Sequence, residues 1–298
     1  MSEETLLEVK DLKKYFRLGK TTLKAVDGVS FTLKKGSAFG LVGESGSGKT
    51  TTGRAIVGLY EPTEGEVLFE GRSVSRLKGA ERRKVAKELQ MIFQDPMSSL
   101  NPRMTVGEIV AEGLKIAGER RREVLRKRVE ETLLQVGILP RYAGRYPHEF
   151  SGGQRQRIGI ARAIIMQPKL LVADEPVSAL DVSVQAQVVN LLTELKEKMG
   201  LTVLFIAHDL SVVKYFCDEI AVMYRGKIVE QADAEELFKN PLHPYTQALL
   251  SAIPLPDPAL KGKGKRKIFD GENWEKEGAG MQLKQVKKGH FVLQGDGK

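Results

Sequence analysis

The segment that decides the fold is GESGSGKT at residues 43–50, with the apolar run AFGLV before it at 38–42 and TTGRAIVGL after it at 51–59. It fits the pattern G-x-x-x-x-G-K-[ST], and its flanks supply the buried strand and the helix that this pattern requires. Glycines let successive backbone N–H groups turn inward without a Cβ in the way, and the helix adds its own unpaired N–H groups. The segment therefore predicts a loop that holds the phosphates of a nucleotide.

The residue types in this loop predict specific contacts. Lys49 should reach the β- and γ-phosphates, and the hydroxyl of Thr50 should bind Mg²⁺. A glycine-rich turn that binds nothing is the alternative, but the fitted positions between a strand and a helix argue against it. The residues expected to bind the nucleotide in and beside the loop are Gly43, Glu44, Ser45, Gly46, Ser47, Gly48, Lys49, Thr50 and Thr51.

A second pattern, LLVADEP at residues 170–176, supplies two carboxylates at the end of an apolar run. Asp174 ends the predicted strand, where it can help to hold Mg²⁺, and Glu175 follows it, where it can polarise the attacking water. Acidic residues at a strand end are common by themselves, so the phosphate loop is what gives this pair its meaning. Together the two patterns predict hydrolysis of a nucleoside triphosphate.

Short apolar runs alternate with helical segments along the chain. Buried strands are predicted at AFGLV, QMIF, LLVAD and LTVLFIA, and an amphipathic helix over residues 183–199, so we expect a parallel-dominated α/β sheet. Residues 5–35 alternate instead, which predicts an antiparallel N-terminal β-subdomain. Residues 105–136 are charged and helical, which indicates an inserted helical subdomain.

The composition excludes several classes of protein. The 298 residues carry a net charge of +9 and a single cysteine, Cys217, which rules out an internal disulfide framework and a cysteine-built metal cluster within the chain. No run approaches the about 18 consecutive apolar residues of a membrane span. The N-terminus MSEETLLEVKDL is acidic and unlike a signal peptide. We expect a location in the cytoplasm or on the cytoplasmic face of a membrane.

The C-terminal part of the chain is basic. From Leu255 onward Pro, Gly and Lys accumulate and the periodicity fades, which predicts an extension of weak intrinsic order. Residues 256–298 contain ten Lys and Arg against six Asp and Glu, and a second basic cluster lies at residues 120–128. Neither cluster is interleaved with aromatic residues, so a stacking platform for single-stranded nucleic acid is not indicated and no nucleic-acid partner is expected.

Further motifs resemble those of ATP-binding cassette (ABC) ATPases, in the family order. FSGGQRQR at 150–157 is similar to the signature motif, Gln94 to the Q-loop glutamine, SALD at 178–181 to the D-loop, and His208 to the switch histidine. Phe16 matches the aromatic that stacks on adenine, with Tyr15 as the near alternative. The resemblance covers roughly residues 5–235. It implies that Glu175, His208 and Gln94 act in catalysis, that Gln94 also contacts Mg²⁺, and that ATP contacts extend to Ser151, Gly152, Gly153, Gln154 and Asp181.

A narrower resemblance points to one branch of this family. The segments QDPMSSLNPRMTVGEIV at 94–110, YPHEFSGGQRQR at 146–157 and HPYTQALLSAIP at 243–254 are similar to ATP-binding subunits of oligopeptide and dipeptide permeases. Members of this group import peptides, oligosaccharides or nickel. Many relatives carry cysteines after the HPYT segment, and some hold an iron–sulfur cluster there. Residues 255–298 contain no cysteine, so we expect no iron–sulfur cluster.

The resemblance implies a fold, a mechanism and a set of partners. The fold is an α/β P-loop NTPase core of ABC type, with an antiparallel N-terminal β-subdomain and an inserted helical subdomain. Because SGGQ resembles a second phosphate-binding turn, two cassettes are expected head to tail with ATP between them, the second being a paralogue or a second copy of this chain. The other expected partners are two transmembrane permease subunits and, indirectly, an extracytoplasmic solute-binding protein. A soluble ABC ATPase acting on nucleic acid or ribosomes is the alternative.

Four regions are expected along the chain. Residues 1–96 hold the N-terminal β-subdomain and the phosphate-loop half of the core. Residues 97–165 form the helical subdomain and end in the signature helix. Residues 166–235 complete the core, and residues 236–298 form a C-terminal extension that contains the HPYT segment.

Overall fold

The computed structural model describes residues 4–252, 267, 269–271 and 281–295. Its strands are β1 Thr5–Leu18, β2 Thr21–Lys34, β3 Ala38–Val42, β4 Glu64–Phe69, β5 Arg72–Ser73, β6 Leu89–Ile92, β7 Leu170–Asp174, β8 Thr202–Ala207, β9 Glu219–Tyr224, β10 Lys227–Asp233, β11 Gln282–Lys287 and β12 His290–Gln294. Its α-helices are α1 Lys49–Ile56, α2 Gly79–Glu88, α3 Pro96–Ser99, α4 Val106–Ile116, α5 Arg122–Gln135, α6 Gly152–Ile164, α7 Val182–Met199, α8 Leu210–Val213, α9 Ala234–Lys239 and α10 Pro244–Ser251.

The larger sheet carries the predicted buried strands. Within the described ranges its order is β11-β12-β10-β9-β3-β8-β7-β6. Strands β9, β3, β8, β7 and β6 pair in parallel, and β10, β12 and β11 continue the sheet in antiparallel pairs. The carboxyl ends of β3, β8 and β7 therefore meet at one edge, since Val42 pairs with Ala207 and Asp174 with Ile206. Ligands of α/β proteins bind at such an edge.

The unbroken apolar runs of these strands reflect burial on both faces. In β3 the side chains of Phe39 and Leu41 belong to one hydrophobic core, whereas Ala38 and Val42 belong to a second core across the sheet. Successive side chains of a strand point to opposite faces, so a strand between two cores must be apolar at every position. The predicted parallel-dominated α/β sheet is confirmed.

The smaller sheet is the predicted antiparallel β-subdomain. It has the order β2-β1-β4-β5, with antiparallel pairs throughout the described residues. Apolar residues of β1 and β2, among them Leu7, Val9 and Leu33, are buried in the core that also contains Phe39 and Ile56. The smaller sheet and α1 therefore pack on the same face of the larger sheet.

The helical segment between β6 and β7 lies on the other core. Side chains of α4, α5 and α6, including Val110, Leu133 and Ile158, are buried together there. Helix α4 begins with a capping box, in which Thr105 and Glu108 satisfy each other's backbone N–H groups. No helix in the described part of the chain is both long enough and apolar enough to cross a membrane.

Residues 281–295 of the C-terminal extension depart from the sequence-based expectation of weak order. Strands β11 and β12 form a hairpin, and β12 pairs with β10 through Glu230–Val292 and Gln231–Phe291. The hairpin is short and lysine-rich, so its apolar periodicity is weak. The hairpin is held by its pairing with β10 and by a buried contact between His290 Nε2 and Glu230 Oε1 at 2.8 Å. Of the extension from Leu255 onward, residues 255–266, 268, 272–280 and 296–298 lie outside the described ranges.

Candidate nucleotide-binding site

The loop between β3 and α1 requires glycine at two close approaches. Gly48 has φ +105°, and a Cβ there would lie 2.1 Å from the carbonyl oxygen of Ala25. A Cβ on Gly43 would lie 2.1 Å from the carbonyl oxygen of Met223. Both distances are far below van der Waals contact, so neither Gly48 nor Gly43 can be replaced by a residue with a side chain unless the loop moves. The loop backbone therefore packs directly against the segments that contain Ala25 and Met223, and its other side lines the cleft described below.

Two neighbouring segments brace this loop. The N–H of Gly226, in the turn between β9 and β10, donates to the carbonyl oxygen of Ser47 at 2.9 Å. The N–H of Glu44 donates to the hydroxyl of Tyr245, which lies on α10, at 3.0 Å. A glycine-rich loop has high intrinsic freedom, so these bonds restrict the conformations that it can adopt.

Lys49 is folded back into its own loop. Only 3% of its side chain is exposed, and its Nζ donates to the carbonyl oxygens of Gly43 at 2.7 Å and Glu44 at 2.8 Å. Burial lowers the pKa of Lys49, and the carboxylate of Glu175, 3.9 Å from Nζ, acts in the opposite direction. The ammonium is thus held by neutral acceptors at the place where β- and γ-phosphates would bind.

The Thr50–Asp174 pair provides the oxygen ligands that suit Mg²⁺. The hydroxyl of Thr50 donates to Asp174 Oδ1 at 2.8 Å. The other oxygen, Oδ2, is buried and has no hydrogen-bond partner in the described part of the chain. Burial is the main cause that raises the pKa of Asp174. An unpartnered buried carboxylate oxygen beside a hydroxyl fits a divalent cation, which takes such oxygens with water and phosphate as its other ligands.

The predicted catalytic residues Gln94 and His208 both contact the carboxylate of the third, Glu175. Its Oε2 accepts a hydrogen bond from Gln94 Nε2 at 2.8 Å and lies 3.4 Å from His208 Nδ1. Its backbone has φ +43°, a left-handed conformation that costs a non-glycine residue about 1–2 kcal/mol. The N–H of Glu175 donates to the carbonyl oxygen of Ile206 in β8, which helps to hold that conformation. The strained backbone aims the carboxylate into the cleft.

Lys49, Thr50, Gln94 and Glu175 border one cleft of about 510 Å³, a size typical of small-molecule sites. Asp174 and His208 are not among the described residues that line it. Residues of the loop, Gln94 and Glu175 line the cleft, and Phe16 lines its far end. The Phe16 ring contacts the Tyr60 ring edge to face, with 5.6 Å between the ring centroids. Tyr15, the alternative aromatic, instead donates its hydroxyl to Asp27 Oδ1 at 2.5 Å. The geometry therefore favours Phe16 as the stacking residue. The described lining residues are Phe16, Leu23, Lys24, Ala25, Ser45, Gly46, Gly48, Lys49, Thr50, Thr51, Gln94, Glu175 and Arg225.

The signature and D-loop residues lie together, away from this cleft. Ser151 caps α6 by accepting from the N–H of Gln154 at 3.3 Å, and its hydroxyl keeps its own hydrogen to donate. Asp181 caps α7 by accepting from the N–H of Val184 at 3.0 Å. A Cβ on Gly153 would lie 2.5 Å from Val184 Cγ1, so the two helix starts are in contact. Neither Ser151 nor Asp181 is among the described residues that line the cleft.

The structure adds several residues that the sequence analysis did not single out, and three of them carry polar side chains. Lys24 and Arg225 line the cleft, and Tyr245 holds the loop. Arg225 occupies the two-residue turn between β9 and β10, so its place at a strand end was the available signal. Tyr245 lies in the HPYT segment, but nothing in the local sequence indicates that its hydroxyl reaches residue 44.

Two family models match the chain. The model described as "ABC transporter" matches residues 26–178, and the model described as "Oligopeptide/dipeptide transporter, C-terminal region" matches residues 229–275. The first spans the phosphate loop, the signature and the carboxylate pair. The second begins in β10 and includes the HPYT segment, so the two sequence resemblances are each supported by a separate match.

Curated relatives are similar over nearly the whole chain. The oligopeptide transport ATP-binding protein OppF of Bacillus subtilis is 57% identical over 297 residues, covering 97% of this chain and 96% of the relative. The oligopeptide transport ATP-binding protein AmiF of Streptococcus pneumoniae is 52% identical and covers 97% and 94%. OppF of Salmonella typhimurium is 54% identical and covers 90% and 84%.

Solved structures share the fold. The ATP-binding cassette MJ0796, in a dimeric post-hydrolysis state bound to ADP and Pi, aligns with a TM-score of 0.71 at 31% identity, over 77% of this chain and 99% of that one. The protein cbiO1 from Clostridium perfringens, part of the ABC transporter complex cbiONQ, aligns with a TM-score of 0.70 at 28% identity, over 80% and 92%. These matches and the cleft geometry lead to one conclusion: the chain belongs to the ABC transporter family, as an ATP-binding, ATP-hydrolysing subunit.

Proposed function

We propose that this chain hydrolyses ATP to drive the uptake of peptides through partner permease proteins. The cargo is supported by the oligopeptide transport function in the names of OppF and AmiF, and by the matched C-terminal region at residues 229–275. Oligosaccharides and nickel are the alternative cargoes, because an ABC cassette handles nucleotide and not solute.

The observation that carries the proposed chemistry is the convergence on Glu175. Its carboxylate, placed between Gln94 and His208, polarises the attacking water, and those two residues orient the water and the γ-phosphate. Lys49 pairs with the phosphates through an N–H of its ammonium, while the carbonyl oxygens of Gly43 and Glu44 continue to hold it. Thr50, Asp174 and Gln94 would hold Mg²⁺, which when bound neutralises phosphate charge during transfer. The glycine-rich loop supplies N–H donors, and Phe16 stacks on the base.

A second subunit completes the site in this proposal. Ser151, Gly152, Gly153 and Gln154 contact a nucleotide held by the partner, since they lie outside this chain's own cleft, and Asp181 acts at the same interface. ATP binding closes the two cassettes and hydrolysis lets them reopen, which gives a permease two states to respond to. A paralogous cassette is favoured as the partner, and a second copy of this chain is the alternative.

The permease contact is proposed for the groove between α2, β6, α4 and α6. The groove has a volume of about 680 Å³, and it contains Ile116, whose side chain is 76% exposed, and Phe93, which directly precedes Gln94. A helix of a permease loop that binds there would lie next to the segment that places Gln94 beside Glu175.

We accordingly propose residues 97–165 as the coupling subdomain. It lies between the two core parts at 1–96 and 166–235, and a C-terminal part at 236–298 follows. The chain would then lie on the cytoplasmic face of the membrane, with a solute-binding protein acting on the opposite side.

The test of the chemistry is the variant Glu175→Gln. The amide preserves the shape of the side chain but cannot accept the proton of the attacking water, so kcat for phosphate release should fall about 10²–10⁴-fold. ATP binding should persist, and closed dimers should accumulate with ATP and Mg²⁺ in size-exclusion chromatography. The control is Glu197→Gln, which neutralises an exposed carboxylate on α7. Hydrolysis by E175Q at the rate of that control would exclude Glu175 as the base.

The same variant tests the partners. Tagged E175Q chain would be purified with ATP and Mg²⁺ from detergent-solubilised native cells, and co-purifying proteins identified by mass spectrometry. Two polytopic membrane proteins and a second cassette are expected. Recovery of ribosomes or DNA-bound proteins without membrane partners would contradict the importer.

A further inference from the structure

The peptide group that joins Gly43 to Glu44 is held at both of its polar ends. Its carbonyl oxygen accepts a hydrogen bond from Lys49 Nζ at 2.7 Å, and its N–H donates to the hydroxyl of Tyr245 at 3.0 Å. A peptide group is planar and rigid, so fixing its N–H also fixes the direction of its carbonyl oxygen. We propose that Tyr245 is a positioning residue for ATP binding, which sets the place of the Lys49 ammonium through this single peptide group.

Tyr245 is itself rigidly placed. Its side chain is 2% exposed, and its ring packs against Tyr224 at 4.6 Å and Phe269 at 5.3 Å between centroids. The preceding residue, Pro244, begins α10, and the N–H of Tyr245 donates to His243 Nδ1 at 3.1 Å. Burial raises the pKa of the Tyr245 phenol, so the hydroxyl stays neutral at physiological pH. The acceptor presented to Glu44 is therefore fixed in position and in charge.

A buried carboxylate anchors the segment that carries Tyr245. Glu230, in β10, is fully buried, and it accepts hydrogen bonds from the N–H of Leu242 at 2.7 Å and of His243 at 3.0 Å. The same carboxylate contacts His290 of the C-terminal hairpin at 2.8 Å. These contacts form a continuous path from the hairpin through Glu230 and α10 to the phosphate loop. The HPYT segment, residues 243–246, thus supports the phosphate loop of the nucleotide site.

The inference predicts a selective loss of affinity. Tyr245→Phe keeps the buried ring but leaves the N–H of Glu44 without its acceptor, which frees the peptide group to rotate and displaces the Lys49 ammonium. Loss of one neutral hydrogen bond corresponds to about a three- to tenfold change in an equilibrium constant. The Kd for a non-hydrolysable ATP analogue with Mg²⁺ should therefore rise about three- to tenfold.

The matched control lies on the next residue of the same helix. Thr246 is fully buried, and its Oγ1 has no hydrogen-bond partner within the described ranges. Thr246→Val thus removes a hydroxyl from α10 without touching the loop, and its Kd should equal that of the wild type. Both variants and the wild type would be titrated as full-length protein by calorimetry, with thermal unfolding measured in parallel.

Double variants separate positioning from general packing. In a Lys49→Ala background Tyr245→Phe should change the Kd less than twofold, because no ammonium remains to be positioned, whereas in a Phe16→Ala background its full effect should persist. Equal losses in Y245F and T246V, or a wild-type Kd for Y245F, would overturn the inference. It rests on the proposed role of Lys49, and that role fails separately if K49A itself binds the analogue as the wild type does.

Discussion

Replacing the buried carboxylate of Glu230 by an amide should destabilise the protein strongly. Its Oε1 accepts hydrogen bonds from Leu242 N and His290 Nε2, and its Oε2 accepts one from His243 N. In Glu230→Gln one oxygen becomes an NH₂ group, so in either orientation at least one N–H faces another donor. An unsatisfied buried donor costs about 1–3 kcal/mol, and the remaining hydrogen bonds lose the added strength of a charged acceptor. We expect a free energy of unfolding lower by about 3 kcal/mol.

The assay is urea unfolding combined with amide hydrogen exchange. The urea midpoint should fall with little change in slope, because the surface exposed on unfolding is almost unchanged. Exchange should accelerate at the amides of Leu242 and His243 before other sites in the core. The control is Glu235→Gln, which neutralises an exposed carboxylate on the next helix and should leave the midpoint unchanged. An E230Q midpoint equal to that of E235Q, with both amides still protected, would refute the reasoning that Glu230 anchors α10.

The remaining predictions concern the two halves of the nucleotide interface. Ser151→Arg should abolish ATP hydrolysis while the chain's own cleft still binds ATP, because the serine contacts the partner's nucleotide; loss of ATP binding in a titration of the isolated subunit would contradict the two-subunit site. Gly48→Ala forces a Cβ to within 2.1 Å of the Ala25 oxygen at φ +105°, so the loop must shift and ATP binding should be lost. Gly46→Ala, at φ +81° but with no atom within 4 Å of the new Cβ, should weaken binding less in the same titration.

Most of the fold could be predicted because its signals are local. The apolar runs at β3, β7 and β8 correspond to strands buried on both faces, and Gly200 ends α7 in the left-handed conformation that favours glycine. The C-terminal hairpin could not be predicted in this way. Its order depends on the pairing of β12 with β10 and on the contact of His290 with Glu230, residues 60 positions apart.

In the candidate site, too, some features follow from the local sequence and others from contacts between distant residues. The sequence by itself determined that a phosphate loop, a carboxylate pair and a signature turn exist, because glycine spacing and residue type are properties of short segments. Only the tertiary structure decided that Gln94 and His208 meet at Glu175, that Phe16 rather than Tyr15 ends the cleft, and that Tyr245 holds the N–H of Glu44. A hydrogen bond requires approach within about 3 Å, and that approach is set by the packing of distant elements. Local patterns therefore indicate the chemistry, whereas the fold decides which atoms perform it together.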